Sequence, residues 1–224
     1  MTAFEIVKPM RVSVSTWRAS RGPPFVHRTI GGMTDEVGDA KRALRAELRQ
    51  RRRNQTSTER ERATTALTAH LVDLATRTSA RSVSAYLSAE TEPNTRPFLN
   101  WAFAHDVRVL FPVSRPDGLL DWSVGDGESE TRGLFGLPEP VGELLSPMAI
   151  NDVDLIIVPA ACIDHGGMRM GWGRGYFDKT LGSMEKRPPV YAVVFDSEYV
   201  ESVPRERHDM PVDGVVTPSG IHEF

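Results

Sequence analysis

The sequence predicts an α/β fold, a single domain with a mostly parallel central sheet and helices on both faces, and three observations carry that reading. Helical and strand-like stretches alternate through the middle of the chain, the pattern of a sheet crossed over by helices. The runs Leu155-Ile156-Ile157-Val158 and Val190-Tyr191-Ala192-Val193-Val194-Phe195 are almost unbroken in apolar character, as expected of strands covered on both sides. At 224 residues the chain is long enough for one sizeable domain and does not require two.

The first 38 residues stand apart. Through Gly32 they hold Lys8, Arg11, Arg18, Arg21 and Arg28 but only one acid, Glu5, with a Gly22-Pro23-Pro24 break and no sustained periodicity. They read as a disordered or non-native extension, with the domain spanning 39–224; the basic, acid-poor composition also suits a transit peptide, and Met33 is an alternative start. Residues 1 to 35 are expected to add nothing to the core.

Helix one is expected over 40–53, where Ala40, Ala43, Leu44 and Leu48 recur at helical spacing. Lys41 and Arg45 lie one turn apart on it, either gripping one phosphate together or forming part of a solvated face. Thr58 and Glu61 have capping-box spacing, opening a second helix to about Thr76 whose Ala63, Leu67, Leu71, Leu74 and Ala75 stripe packs inward. A strand over Ser82–Leu87 follows, and Glu90 and Glu92 sit just beyond it, where ligands of open α/β sheets bind. Asn94 or Thr95 caps a third helix through His105, with Phe98, Leu99 and Ala102 inward; a strand over Val107–Val113 comes next.

From Ser114 to Met148 the chain is rich in Pro, Gly and acids. Leu119–Val124 is its only plausible short strand, and Gly133–Pro140 reads as an ordered loop. Phe135 in that loop is either an anchor in the core or an aromatic wall for a planar ligand. A central strand over Asp154–Ala160 then leads into Gly166-Gly167-Met168-Arg169-Met170-Gly171-Trp172-Gly173-Arg174-Gly175-Tyr176-Phe177-Asp178. A short helix to about Met184, a strand over Val190–Phe195 and a last short strand after His208 complete the order.

The glycine-rich stretch is the main chemical signal. Its glycines let the main chain lie against a ligand, and a helix start with Arg169 and Arg174 beside it favours an anion. It is neither a Walker A motif nor a dinucleotide fingerprint. Asp178 can hold a metal that phosphates bring, with Asp209, Asp213 or Asp196 as a second carboxylate. Cys162, His165 and His208 make neither a zinc set nor a triad, for the ligands are too few and no Gly-x-Ser-x-Gly elbow exists.

The formal charge of −3 marks neither a nucleic-acid nor a membrane partner, and no apolar run reaches membrane-spanning length. Residues 39–62 nevertheless hold nine Lys or Arg against four acids. A nucleic-acid-binding helix ranks last, since few aromatics interleave it. The lone cysteine suits a reducing compartment, and a cytoplasmic location is expected.

Arg169-Met170-Gly171-Trp172-Gly173-Arg174-Gly175-Tyr176-Phe177-Asp178 resembles the signature of the 5-formyltetrahydrofolate cyclo-ligase (5,10-methenyltetrahydrofolate synthetase) family, Arg-Leu-Gly-x-Gly-x-Gly-Tyr-Tyr-Asp. Lys41-Arg42-Ala43-Leu44-Arg45 is similar to its Lys-x-x-Leu-Arg, and Glu92 falls at its Glu-x-x-Thr. Phe135–Pro140 is similar to its Gly-Ile-x-x-Pro loop, and His208–Asp213 to its C-terminal segment. The resemblance implies Mg²⁺- and ATP-dependent closure of 5-formyltetrahydrofolate to 5,10-methenyltetrahydrofolate, giving ADP and phosphate. It implies that Lys41 to Arg45 and Arg169 to Phe177 bind ATP, and that Glu92, Phe135 and Trp172 to Tyr176 meet folate. It further implies that Arg174 and Tyr176 are catalytic and that Asp178 and Asp209 bind Mg²⁺. Two residues depart from the pattern: Phe177 replaces a second tyrosine, and Trp172 fills a variable position. A binding protein that keeps the cradle without turnover is the alternative.

Overall fold

The computed structural model describes residues 30–184 and 187–224. Helix α1 (Ile30–Asn54) begins ten residues before the expected Ala40, so the later part of the expected extension is helical; the part before Ile30 lies outside the described residues. Helix α2 (Ser57–Arg77) is opened by a capping box, but not the expected one. Thr56 accepts from Glu59 N–H at 3.2 Å while the Glu59 carboxylate accepts from Thr56 N–H at 2.8 Å, two residues before Thr58 and Glu61. Both pairs satisfy the spacing, and the chain turns at the earlier one because Asn54 ends α1 just ahead of it.

Eight strands form the main sheet: β1 (Ser82–Ser84), β2 (Arg108–Ser114), β3 (Leu120–Arg132), β4 (Pro138–Leu145), β5 (Leu155–Pro159), β8 (Val190–Val193), β10 (Gly214–Thr217) and β11 (Gly220–Glu223), in the order β11-β10-β8-β5-β1-β2-β3-β4. The five central strands are mutually parallel; β11 and the β3–β4 hairpin are antiparallel additions at the two edges. Three short strands, β6 (Cys162–Asp164), β7 (Arg169–Met170) and β9 (Tyr199–Val200), make a second small sheet.

The unbroken apolar runs divide between two faces. Leu155, Ile157 and Val193 pack with Leu67, Leu71 and Leu74 of α2 and Phe98, Leu99 and Ala102 of α3 (Arg96–Ala104). Ile156, Val158, Ala192 and Val215 pack on the other side with Leu181 of α4 (Tyr176–Ser183), Ile150 and Trp122. Each centred run therefore serves two cores at once. Leu48 of α1 joins Cys162, Met170 and Val203 over the small sheet.

Strand β4 replaces part of the expected loop. Pro138 and Pro140 are tolerated because β4 is an edge strand, where a missing N–H breaks no ladder on its outer side. Thr95 precedes α3 as expected but caps nothing with its side chain. Its hydroxyl instead donates to Tyr86 O at 2.7 Å, pinning the loop after β1. Topology turns in opposite directions on the two sides of β1, and the crevice between β1 and β5 at their carboxyl ends is the natural ligand position.

Candidate active site

Two cavities open beyond those carboxyl ends, one on each side of the glycine-rich loop. The larger, of about 530 Å³, is lined by Tyr86, Leu87 and Glu92 after β1, by Phe111 and Ser114 of β2, and by Phe135, Trp172, Tyr176 and Phe177. The smaller, of about 410 Å³, is lined by Arg45, Gly173, Lys179, His208 and Asp209. Gly171, Arg174, Gly175 and Asp178 line both, so the loop is the partition between them.

Two glycines make the partition possible. Gly173 has φ of +100° and Gly175 +70°, in the left-handed region, and a Cβ on Gly173 would lie 3.2 Å from the Arg45 guanidinium. Arg45 Nε donates to Gly171 O at 2.8 Å, which ties α1 to the loop. Helix α4 starts at Tyr176, ahead of its expected position after Asp178, so Asp178 lies in its first turn.

The large cavity is walled by aromatic groups. The Arg174 guanidinium carbon stands 3.4 Å from the Phe135 ring centroid, and the Tyr176 ring is 5.9 Å beyond it. Phe135 is thus an aromatic wall and not a core anchor. The Tyr176 hydroxyl is already engaged, donating to Arg115 O at 2.7 Å, so its ring is the part that faces the cavity. Glu92 Oε2 accepts from Ala89 N–H at 2.9 Å; burial pushes its carboxyl up, against the lowering effect of that hydrogen bond. Glu90, the other acid of the loop, does not line the cavity.

Around the small cavity the charged groups are arranged in pairs. Buried Arg169 donates to Asp178 Oδ1 at 2.7 Å, and buried Lys41 reaches Asp209 Oδ2 at 2.6 Å and Glu206 Oε2 at 2.8 Å. Lys41 and Arg169 therefore each hold a carboxylate, and Arg169 also borders the larger cavity. Among the described residues, Asp178 Oδ2 and Asp209 Oδ1 make no hydrogen bond, and both carboxylates border the same cavity. Asp209 Oδ1 has the His208 imidazole nitrogen at 3.9 Å, and this carboxylate-lined edge fits a hard divalent ion. Asp213 and Asp196 are placed elsewhere, Asp213 with Arg187 and Val190 N–H, Asp196 with Ser219 N–H.

Other members of the expected set have subsidiary positions. Arg42 is exposed and pairs with Asp39, Ala43 is exposed, and Leu44 and Met170 pack in the cluster beneath the loop. Cys162 is no nucleophile, for burial pushes its thiol up to about 12. Arg49, Tyr86, Glu139 and Lys179 border the cavities and were not anticipated. The spacing held a clue to one of them, since Arg49 continues the series Lys41, Arg45 at four-residue steps.

Residues 37–218 match the model of the 5-formyltetrahydrofolate cyclo-ligase family. A 5-formyltetrahydrofolate cyclo-ligase of Mycolicibacterium smegmatis is 35% identical over 184 residues, covering 80% of this chain and 94% of the relative. The one of Escherichia coli K12 is 29% identical over 150 residues, 65% of this chain and 82% of the relative. The solution structure of Aquifex aeolicus 5,10-methenyltetrahydrofolate synthetase superimposes with a TM-score of 0.69 at 27% identity, covering 82% of this chain and 92% of that one. A match across nearly the whole domain, joined to the same fold, means that this chain belongs to the 5-formyltetrahydrofolate cyclo-ligase family.

Proposed function

We propose that this protein closes 5-formyltetrahydrofolate to 5,10-methenyltetrahydrofolate at the expense of ATP, with the folate in the larger cavity and the triphosphate in the smaller. The observation that carries the assignment is the shared partition: one cavity has aromatic walls suited to a planar ring, the other is bordered by cations and carboxylates, and four loop residues belong to both. Phosphoryl transfer between the two ligands needs that adjacency.

The formyl oxygen attacks the γ-phosphorus and the bond to ADP breaks, giving an imidate phosphate. N10 then attacks the activated carbon, a proton leaves N10, and the C–O bond breaks to release phosphate. Little of this asks for a protein nucleophile; positioning and charge neutralisation dominate. Arg45, Lys179 and the first N–H groups of α4 neutralise phosphate charge, while Arg174, at the boundary, serves the transferring group. Phe135, Tyr176 and Trp172 hold the pterin plane, and Glu92 accepts from a folate N–H. A magnesium ion, when bound, supplies further neutralisation of the phosphates, and Asp178 and Asp209 would hold it. Lys41 and Arg169 hold those two carboxylates in orientation.

Substrate carrying ¹⁸O in the formyl group tests the chemistry. The label is expected in inorganic phosphate, in step with methenyl formation. Methenyl product with unlabelled phosphate would contradict the imidate route.

A further inference from the structure

Arg52 occupies an unusual position for a guanidinium. Only 1% of it is exposed, and it lies beneath the large cavity without lining it. Its Nε and Nη2 donate to the two oxygens of equally buried Glu198 at 2.6 and 2.8 Å, and Nη2 also reaches Ala160 O at 2.9 Å, at the end of the central strand. A buried pair of this kind is no dependable source of stability, because desolvation offsets its attraction and apolar residues can often replace it. What else the pair touches is therefore informative.

Its guanidinium carbon stands 4.8 Å from the centroid of Trp172 and 5.6 Å from that of Phe195. Arg49 approaches the same indole at 5.1 Å. Trp172 has glycines on both sides, and its ring packs on the cluster of Leu48, Cys162, Met170 and Val203 as well as against the two arginines. The indole N–H is buried and makes no hydrogen bond, which leaves the arginine faces as its fixed polar neighbours among the described contacts. Glu198 in turn accepts from Phe195 N–H at 2.9 Å, anchoring the pair to the end of β8.

We propose that Arg52, held by Glu198, is a positioning residue for folate: its guanidinium face sets the plane of Trp172 and thereby the wall of the folate cavity. The proposal rests on assigning the larger cavity to folate. It gives Trp172, one of the two residues that depart from the family pattern, a support built into helix α1.

The test is Arg52→Met/Glu198→Gln, which removes both charges together. KM for 5-formyltetrahydrofolate is expected to rise about tenfold, the scale of a desolvated cation–π contact, with KM for ATP and kcat within about threefold. In a Trp172→Leu background the same double change should move the folate KM by less than about twofold, because the group it acts through is gone. Arg52→Lys, which keeps charge without a planar face, should behave like the double variant. Acrylamide quenching of Trp172 emission, taken as the difference between each protein and its Trp172→Phe counterpart, should increase when the pair is removed. An unchanged folate KM, equal rises for ATP and folate, or full additivity with Trp172→Leu would overturn the proposal, as would unchanged quenching. If no version of the protein forms methenyl product, the activity assignment fails instead, and quenching still decides whether Arg52 holds Trp172.

Discussion

Glu92 is pulled two ways, since burial favours its neutral form while the Ala89 N–H favours the carboxylate. Its raised value has a defined consequence for stability. As pH rises through the ordinary glutamate value the unfolded chain releases this proton first, so the native state loses stability across the window up to the folded value. Glu92→Gln keeps an acceptor for Ala89 and removes that penalty. The Gln protein should therefore gain stability relative to wild type as pH rises above the ordinary glutamate range, measured by urea unfolding, while its folate KM rises about tenfold or more. A stability difference that is flat with pH would argue against a raised carboxyl. Asp178→Asn carries a different mixture. It should lower turnover at least about 100-fold, and it should also cost roughly 1–3 kcal/mol of stability, because buried Arg169 loses its counter-charge. The motif made Asp178 legible as a candidate ligand, but nothing in a string of letters showed that Arg169 would be its hydrogen-bond partner.

At the scale of elements, the glycine-rich loop, helix α1 and strand β4 differ in how far their sequence announces them. The loop is legible because residues 171, 173 and 175 repeat glycine, and two of them adopt positive φ. Gly173→Ala should strain the backbone and press on Arg45, costing about 1–2 kcal/mol and raising KM for ATP more than KM for folate. Equal changes in both constants would mean that Arg45 serves the loop only as a structural tie. Helix α1 is legible as a helix, yet its run of arginines conceals which are buried. Lys41 and Arg52 are inside while Arg42, Arg49, Arg51 and Arg53 are exposed, since burial depends on acids more than 140 residues away. Strand β4 was hidden by its prolines and by Val141 and Leu144, which face outward on the sheet edge. The capping box of α2 shows the limit of local patterns: two overlapping matches existed, and the end of α1 selected between them. Thr56→Ala should cost about 1 kcal/mol, and Thr58→Ala close to nothing, in thermal or urea unfolding.

Across the whole molecule, the parallel centre of the sheet brings the segments after β1, β2, β5 and β8 to one end, and the reversal of connection direction beside β1 opens the crevice that becomes the larger cavity. The alternation of helix and strand was enough to foresee this architecture, while the antiparallel hairpin that contributes Phe135 and Glu139 was not foreseen. No helix among the described residues is long and apolar enough to cross a membrane. The family match begins at residue 37, and we expect a chain starting at Met33 to keep activity within about twofold and its unfolding midpoint within a few degrees. The central claim is that one partition serves both ligands, so that ring closure and ATP cleavage are one coupled event. The most direct measurement follows methenyl absorbance and ADP together when purified protein meets 5-formyltetrahydrofolate, ATP and Mg²⁺. One ADP for each ring closed, with neither product formed when folate or ATP is omitted, is the predicted result; ADP release that is indifferent to folate, or no methenyl chromophore at all, would contradict it.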